Sequence, residues 1–172
     1  MLAQIFTGFR KEPKIKKKAK KKFMEKVKIP VGCNGFAIFK DAAQGGHYFG
    51  RDFMFPTAGV LENTACMIVR RPDKAGDGER LPLAGVTAPG ILGYFAGLNL
   101  NGVGAGIDIA PSSACDPGDP SFNSLLLLRH CLEKGESAAG AKDVIVRAKR
   151  GVSWIYIPVS YTHLTLPTKR IV

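Results

Sequence analysis

The sequence predicts an α+β fold, in which antiparallel strands form sheets that pack on helices. Short β-rich runs, separated by glycine, proline and polar turns, occupy the chain from residue 33 to residue 109. Two helical patterns follow, over Asn123–Leu132 and Glu136–Arg150, and one further strand pattern, Ser153–Ile157, comes after them. Strands that precede helices in this way are typical of a sheet covered by helices.

The first two strand patterns predict a hairpin. Ile29–Gly32 is an extended lead-in, because the residue before a proline is pushed toward β or polyproline geometry. Cys33–Phe39 and His47–Phe55 are both rich in aromatic and β-branched residues, and a glycine-containing turn at Asp41–Gly46 joins them. Pro56–Gly59 is expected to end the second strand.

Three more strand patterns are predicted between the hairpin and the helices. Thr64–Arg70 is followed by a polar loop, Arg71–Arg80, and Pro82–Gly93 is small and apolar, which favours a strand or a pair of strands. Asn99–Gly102 has the composition of a turn, and Val103–Ile109 is a strand unusually rich in glycine. Because glycine within a strand often marks the close approach of another backbone, we expect a neighbour to pack against this strand.

The first helical pattern carries local start and stop signals. Ser121 or Asn123 is the candidate N-cap, because both side chains can accept a hydrogen bond from the amides of a first turn. Gly135 is the candidate stop, since glycine ends many helices. The second helical pattern is expected to begin directly after this glycine.

The chain of 172 residues has a formal net charge of +11, and the excess is confined to its two ends. Residues 1–32 hold eleven Lys/Arg and two acidic residues, the last fourteen residues add Lys169 and Arg170, and residues 33–158 are neutral overall. A nucleic-acid binder is expected to carry a basic stripe on its folded part, so no nucleic-acid partner is predicted. The run Lys14–Lys28 is interpreted as a solvated linker or propeptide, or alternatively as a tether for RNA or anionic lipid.

The cysteine pattern argues against a metal site. The chain has four cysteines and no C-x-x-C pair: Cys33, Cys66, Cys115 and Cys131. This spacing is unlike that of zinc sites and unlike the disulfide framework of a small secreted domain. We therefore expect reduced, mostly buried thiols, with Cys33 the exception, and no metal or other cofactor. No apolar run approaches the roughly 20 residues that a membrane span requires.

Residues 158–172 are predicted not to belong to the fold. Val159–Thr168 (VSYTHLTLPT) resembles the translation, in one frame, of a transposase adapter used in sequencing libraries, and it bears no relation to the strand pattern before it. We therefore expect a non-native tail, and a natural protein that continues past Ile157. The predicted organisation is a basic leader, propeptide or linker at 1–32, the front half of a domain at 33–157, and this tail.

Cys33 is the candidate nucleophile. A cysteine that attacks the carbonyl of the preceding residue can cleave the chain by an N-to-S acyl shift, which frees an α-amine on the same residue as the thiol. That amine, with an ordinary pKa of about 8, can act as general base for its own side chain. Gly32 suits such a cleavage site, because glycine leaves the scissile carbonyl unshielded and tolerates strained backbone angles. The alternative is that Cys33 is merely a buried apolar side chain, as many free cysteines are.

Four blocks, in the same order, resemble the penicillin acyltransferase-like and choloylglycine hydrolase families of Ntn hydrolases. The blocks are Gly32-Cys33 with its hairpin, His47-x-x-Gly-Arg51, the block Gly97-Leu-Asn-x-x-Gly-Val-Gly-Ala-Gly-Ile-Asp108, and the helices at Leu125–Arg129 and Ala138–Val144. The resemblance covers roughly residues 29–157. It implies an αββα Ntn-hydrolase sandwich, of which this chain holds the front half, and an autoproteolytic enzyme that hydrolyses or transfers an acyl group at a linear, non-peptide amide.

The resemblance also implies roles for individual residues. Cys33 matches the nucleophile, with cleavage between Gly32 and Cys33, and Arg51 matches an arginine that sits beside the thiolate and favours its ionised form. The family's aspartate that holds the α-amine lies three residues after that arginine, where this chain has Met54. Asp52 is the candidate substitute, because residues 52 and 54 share one face of a regular strand.

Asp108 matches the position of the family's oxyanion-hole asparagine. An ionised aspartate would repel a developing oxyanion, so either Asp108 is protonated, or a different donor serves, or the chemistry has drifted. The expected partner is a small-molecule acyl amide or acyl donor. The alternative function is a catalytically inactive Ntn-like domain whose Lys-rich arm binds RNA or an anionic membrane surface.

Overall fold

Two antiparallel sheets and a pair of packed helices make up the part of the chain that the computed structural model describes. Those residues are 32–54, 57, 59–73, 79–110, 121–151 and 154–160, and they all belong to one compact unit. The predicted lead-in before Gly32, the Lys14–Lys28 run and the tail after Ser160 lie outside the described residues.

The predicted hairpin is confirmed. β1 (Gly32–Phe39) pairs antiparallel with β2 (His47–Met54) over the full length of both strands. A 3₁₀ turn at Lys40–Ala43 joins them, followed by Gln44 and Gly45, whose φ angles are 49° and 83°. Glycine adopts a positive φ without steric cost, which explains why the glycine-containing segment is the place where the chain reverses.

The second sheet has five antiparallel strands in the order β3-β4-β5-β6-β7. The strands are β3 (Cys66–Arg70), β4 (Leu83–Thr87), β5 (Ala96–Asn99), β6 (Gly104–Ile109) and β7 (Trp154–Val159). The sequence patterns predicted four of these strands and missed β5. Its four residues, AGLN, show no alternation of apolar and polar side chains that would have indicated a strand.

β7 continues past the predicted end of the native sequence. Pro158 and Val159 pair with Ala105 and Gly104 of β6, and both are buried. The first two residues of the predicted tail therefore complete this strand. The non-native origin of the residues that follow stays a prediction.

The longer helices are α2 (Ser124–Lys134) and α3 (Ala138–Arg147), and a single turn, α1 (Leu61–Thr64), precedes β3. Asn123 is the cap of α2, because its Oδ1 accepts hydrogen bonds from the amides of Leu125 and Leu126 at 3.0 and 3.2 Å. Gly135 follows the last residue of α2, as predicted.

α3 is shorter at both ends than its pattern predicted. The hydroxyl of Ser137 accepts a hydrogen bond from the amide of Gly140 at 3.1 Å, which makes Ser137 the N-cap and Ala138 the first helical residue. Ala148 is extended and ends the helix. Arg150, which the pattern placed in the helix, instead forms a bridge with Phe122.

α2 and α3 cover one face of the five-stranded sheet. Side chains from the strands and from the two helices meet in one apolar cluster, which includes Val103, Ala105, Ile107, Tyr156, Leu127, Leu128, Leu132 and Ile145. Burial of a leucine or isoleucine side chain stabilises a fold by about 1.5–3 kcal/mol. This cluster, which lies between the sheet face and the two helices, is the core of the described unit.

The hairpin packs on the opposite face of the same sheet. A Cβ atom built on Gly106 of β6 would lie 3.1 Å from Cζ of Phe49 and 3.2 Å from Cγ of Arg51, both on β2. The expectation that another segment closely approaches the glycine-rich strand is therefore confirmed. Hairpin, five-stranded sheet and helices form three successive layers.

Part of the hairpin-side face of the sheet is left uncovered by the described residues. Met67 and Val69 of β3 are 68% and 64% exposed, and Leu98 of β5 is 54% exposed. The outer face of the hairpin also presents apolar side chains, with Phe36 and Tyr48 both exposed. Exposed apolar patches often mark surfaces that contact another chain or segment.

Candidate active site

Cys33 lies near the open end of the hairpin, on the face that is turned to the five-stranded sheet. Its cross-strand partner is Phe53, and Arg51, which pairs with Gly35, is its diagonal neighbour. Directly paired residues share one face of a sheet, and diagonal neighbours on that face are about 7–8 Å apart. Cys33 is a free thiol and is half-buried. The register therefore brings the predicted nucleophile and the predicted arginine to the same face.

Arg51 is buried, with 3% of its side chain exposed. The guanidinium forms an ion pair with Asp108, Nη2 to Oδ1, at 3.0 Å, and Nη2 also donates a hydrogen bond to the carbonyl of Ile107. Nη1 donates to the carbonyl of Asp52 at 2.6 Å. Cζ lies 4.7 Å from the centroid of the Phe53 ring, within the range of a cation–π interaction. These four contacts fix the position of the guanidinium. It lies next to the side chain of Phe53, which is the cross-strand partner of Cys33.

Asp108 projects from β6 into the same space. Its side chain is 12% exposed, and Oδ2 lies 4.0 Å from the position that a Cβ of Gly35 would occupy. Burial raises the pKa of the Asp108 carboxyl above its ordinary value, the Arg51 guanidinium lowers it, and the nearby Asp52 raises it further. Burial is the largest of the three effects, so this carboxyl takes up a proton more readily than an exposed aspartate.

Asp52 lies on the other face of the hairpin. It pairs with Asn34, whose Nδ2 donates a hydrogen bond to Oδ2 of Asp52 at 3.4 Å, and both residues are exposed. Met54, at the position of the family's aspartate, is on the same outer face and is 40% exposed. Successive side chains of a strand point to opposite faces, so Asp52 and Met54 share a face, as expected, but it is not the face of Cys33.

Gly32 is the first described residue of the chain and the first residue of β1, where it pairs with Met54. The peptide bond between Gly32 and Cys33 therefore lies at the end of a paired strand, beside the half-buried thiol. Its assignment as a cleavage site stays a prediction.

The other described cysteines have different surroundings from Cys33. Cys131 is fully buried in α2, and burial raises the pKa of its thiol to about 12. Cys66 is exposed on β3. Cys115 lies outside the described residues. His47 is half-buried at the turn end of the hairpin, where its ring lies 6.0 Å from that of Phe39, far along the strand from Cys33.

The sequence patterns did not identify two residues that shape the site. Phe53 supports the guanidinium of Arg51 and packs against Phe95, with the ring centroids 4.5 Å apart. Gly106 leaves room for the stem of Arg51 to lie across β6. The alternation along β2 could have placed Phe53 on the face of Arg51, but only the packing of the two sheets identifies its neighbours.

Among the described residues, no group of three His, Cys, Asp or Glu side chains is arranged to hold a metal ion. No helix in the described ranges is long and apolar enough to span a membrane.

Comparisons with known proteins bear on the fold. No family model matches the chain. An uncharacterized protein of Archaeoglobus fulgidus is 32% identical over 128 residues, which are 74% of this chain and 20% of the relative. A Caenorhabditis elegans N-acylethanolamine-hydrolyzing acid amidase ortholog has a similar structure, with a TM-score of 0.56 and 14% identity over 76% of this chain and 55% of the amidase chain. This chain thus spans about a fifth of the relative and about half of the amidase.

At this level of identity the likeness to the amidase concerns the fold. The mixed architecture of antiparallel sheets and helices confirms the predicted α+β class, and the match fits the Ntn-hydrolase sandwich. The resemblance to the penicillin acyltransferase-like family stays a prediction.

Proposed function

We propose that the protein carrying this chain is an autoproteolytic cysteine Ntn hydrolase or acyltransferase that acts on linear amide C–N bonds. Cys33 would be the nucleophile, and the acyl group of the substrate would be carried as a thioester on its sulfur. The observation that carries this proposal is the shared face of Cys33 and Arg51 in a hairpin packed on β6. The fold likeness to an amidase that hydrolyses N-acylethanolamines adds support.

Activation of the enzyme would begin at the Gly32–Cys33 bond. The Cys33 sulfur attacks the Gly32 carbonyl carbon, the C–N bond breaks as the nitrogen takes a proton, and a thioester links the two residues. Water then hydrolyses the thioester, which releases the Gly32 carboxylate and leaves Cys33 with a free thiol and a free α-amine. The amine is then available as the general base.

Catalysis would use the same thioester chemistry at Cys33. The amine takes the thiol proton, the sulfur attacks the amide carbon of the substrate, and the leaving amine departs with a proton. Attack on the thioester by water gives a hydrolase, and attack by a second amine gives an acyltransferase. Arg51 would favour the thiolate. Its Nε is buried and donates no hydrogen bond to the described residues, so it is a donor available to an anion in the site.

The test is covalent trapping. The protein is incubated with a panel of N-acyl amides, and intact-mass and peptide spectra are recorded after acid quenching. An acyl adduct on the Cys33 peptide is expected, together with an N-terminus that reads Cys-Asn-Gly-Phe. The variant Cys33→Ala should lose both signals, whereas Cys66→Ala, which removes an exposed thiol on β3, should keep both. Absence of any adduct across a broad panel contradicts the proposal.

A second candidate function is favoured by the charge of residues 1–32, which hold a net +9 while residues 33–158 are neutral. In that case the domain is inactive and the Lys-rich arm binds RNA or an anionic membrane surface. Such binding should weaken steeply with salt and disappear when residues 14–28 are deleted. Acylation of Cys33 that survives this deletion favours the enzyme.

A further inference from the structure

Arg51 faces two groups that compete for its charge. Cys33 lies diagonally across the hairpin, and Asp108 lies across the gap between the sheets, 3.0 Å from Nη2. An ionised Asp108 compensates the guanidinium and adds a negative charge to the space next to the thiol. The first effect weakens the attraction between the guanidinium and a thiolate at Cys33. The second adds a repulsion, because like charges in a poorly solvated site repel strongly.

We propose that Asp108 is a positioning residue that restrains the reactivity of Cys33: its carboxylate engages Arg51, and a neutral group at this position makes the thiol easier to ionise. This inference rests on the proposed role of Cys33 as nucleophile. It assigns to Asp108 the regulation of the nucleophile instead of a direct contact with the substrate.

The structure indicates that Arg51 would stay in place without the carboxylate. The Ile107 carbonyl, the Asp52 carbonyl and the Phe53 ring also hold the guanidinium, and Gly106 leaves space for its stem. An asparagine has nearly the same shape as an aspartate and still offers an oxygen acceptor. The substitution Asp108→Asn therefore changes charge while it preserves the packing between the hairpin and β6.

Few other charges face this space from the described elements. On β1 and β2 the inward ionisable groups are Cys33, Arg51 and His47, and His47 is four residues from Arg51 along the strand, roughly 13 Å away. On β7 the hairpin-side neighbours are Ile155, opposite Asp108, and Ile157, near Gly35. Asp52, on the outer face, adds a weaker repulsion to Asp108. Among the described strands, Arg51 and Asp108 are therefore the charged groups that share this space with Cys33.

The test measures the ionisation of the Cys33 thiol without turnover. The full chain is pulsed with iodoacetamide, an uncharged reagent, at low salt over a series of pH values, and alkylation of the Cys33 peptide is quantified by mass spectrometry. The spectra also record whether the Gly32–Cys33 bond is intact, so that both forms are compared separately. Alkylation depends on the thiolate, so the midpoint of the rate against pH reports its formation.

In Asp108→Asn the midpoint should fall by about one unit, which corresponds to roughly tenfold faster alkylation at a pH below both midpoints. Asp143→Asn, which removes an exposed charge from α3 on the far side of the sheet, should leave the midpoint unchanged. In the double variant Arg51→Gln/Asp108→Asn the shift should be smaller, since the attraction of the guanidinium for the thiolate is lost together with the repulsion by the carboxylate. If circular dichroism shows that Asp108→Asn is unfolded, Asp108→Ser, which removes the same charge, is used in its place.

Two outcomes would overturn the inference. A midpoint in Asp108→Asn that equals or exceeds that of the unmodified chain means that Asp108 does not restrain the thiol. A shift that persists in full in the double variant means that Arg51 plays no part. Because no substrate is used, a negative amide panel with a shifted midpoint would reject the proposed function alone, and an acylated Cys33 with an unshifted midpoint would reject this inference alone.

Discussion

Charge links residues of the site that are far apart in the chain. Arg51 belongs to the hairpin and Asp108 to the five-stranded sheet, and their side chains meet only because these layers stack. Strand alternation predicted from the sequence that Asp52 and Met54 share one face, whereas the shared face of Cys33 and Arg51 depends on the hairpin register that the structure shows. The ion pair was not accessible from the sequence, because sequence spacing carries no information on which faces of two sheets are opposed.

Asp108 predicts a pH dependence of stability. Burial outweighs the attraction of Arg51 and raises the carboxyl pKa above the ordinary value of 3.8, so the folded protein holds this proton more tightly than the unfolded chain. The resulting stabilisation is complete below the unfolded-state pKa and is lost as the pH rises through the folded-state pKa. Asp108→Asn, which does not titrate, should therefore gain stability relative to the unmodified chain as the pH rises from about 4 to about 7.

Urea unfolding of both proteins at the two pH values measures this difference. The matched control is Asp143→Asn, which removes an exposed carboxylate and should show no comparable change. A difference between Asp108→Asn and the unmodified chain that is the same at both pH values would contradict the prediction.

At the scale of elements, the glycines of β6 let the hairpin approach the sheet. A methyl group on Gly106 would lie 3.1 Å from Phe49 and 3.2 Å from Arg51, closer than either side chain tolerates without moving. Because four contacts hold Arg51 in place, its side chain cannot give way freely, and Gly106→Ala should destabilise the fold by about 1–3 kcal/mol. It should also displace Arg51 and so change the rate of Cys33 alkylation.

Gly140 provides a control of opposite sign. It lies inside α3, where the nearest atom to an added Cβ is the Ser137 hydroxyl at 3.5 Å, an ordinary contact. Gly140→Ala should stabilise the protein by about 0.5–1 kcal/mol, because alanine restricts the unfolded chain and favours the helix. Thermal unfolding followed by circular dichroism compares the two variants. Equal effects of the two substitutions would show that close approach at Gly106 is not what matters.

Elements were predictable where their signals are local. Asn123 caps α2 through its own side chain, and the hairpin turn requires a residue of positive φ at Gly45, so both signals act over a few residues. β5 was missed because a four-residue strand is stabilised by its neighbours β4 and β6 and not by its own composition. Arg150 was assigned to the wrong element because its pairing with Phe122 is tertiary.

On the scale of the whole molecule, the described layers leave an apolar surface open. β3 is an edge strand among the described strands, and its hairpin-side residues Met67 and Val69 are largely exposed. Exposed apolar edges promote association between chains. We therefore expect this chain to self-associate through this surface, and the associated fraction to rise with protein concentration.

Replacing Met67 by Gln and Val69 by Thr should reduce that association with little effect on unfolding, because both side chains are already solvated. Light scattering and size-exclusion chromatography over a concentration series measure it. The double variant Leu92→Gln/Leu100→Gln changes two loop residues of similar exposure, 72% and 76%, and should leave association unchanged. If both pairs have the same effect, total exposed hydrophobicity and not the β3 surface drives association.

Local sequence signals predicted the α+β class, the hairpin and two candidate caps for α2, because strand composition, turn glycines and cap side chains act between residues that are close in the chain. The assignment of Cys33 as nucleophile stays a prediction. Tertiary structure alone decided which faces meet. It brought Asp108 to Arg51, turned Asp52 away from Cys33 and used Pro158 and Val159 to complete β7. These outcomes depend on the order of strands in the sheet and on the stacking of layers, which arise from the burial of apolar area over the whole unit.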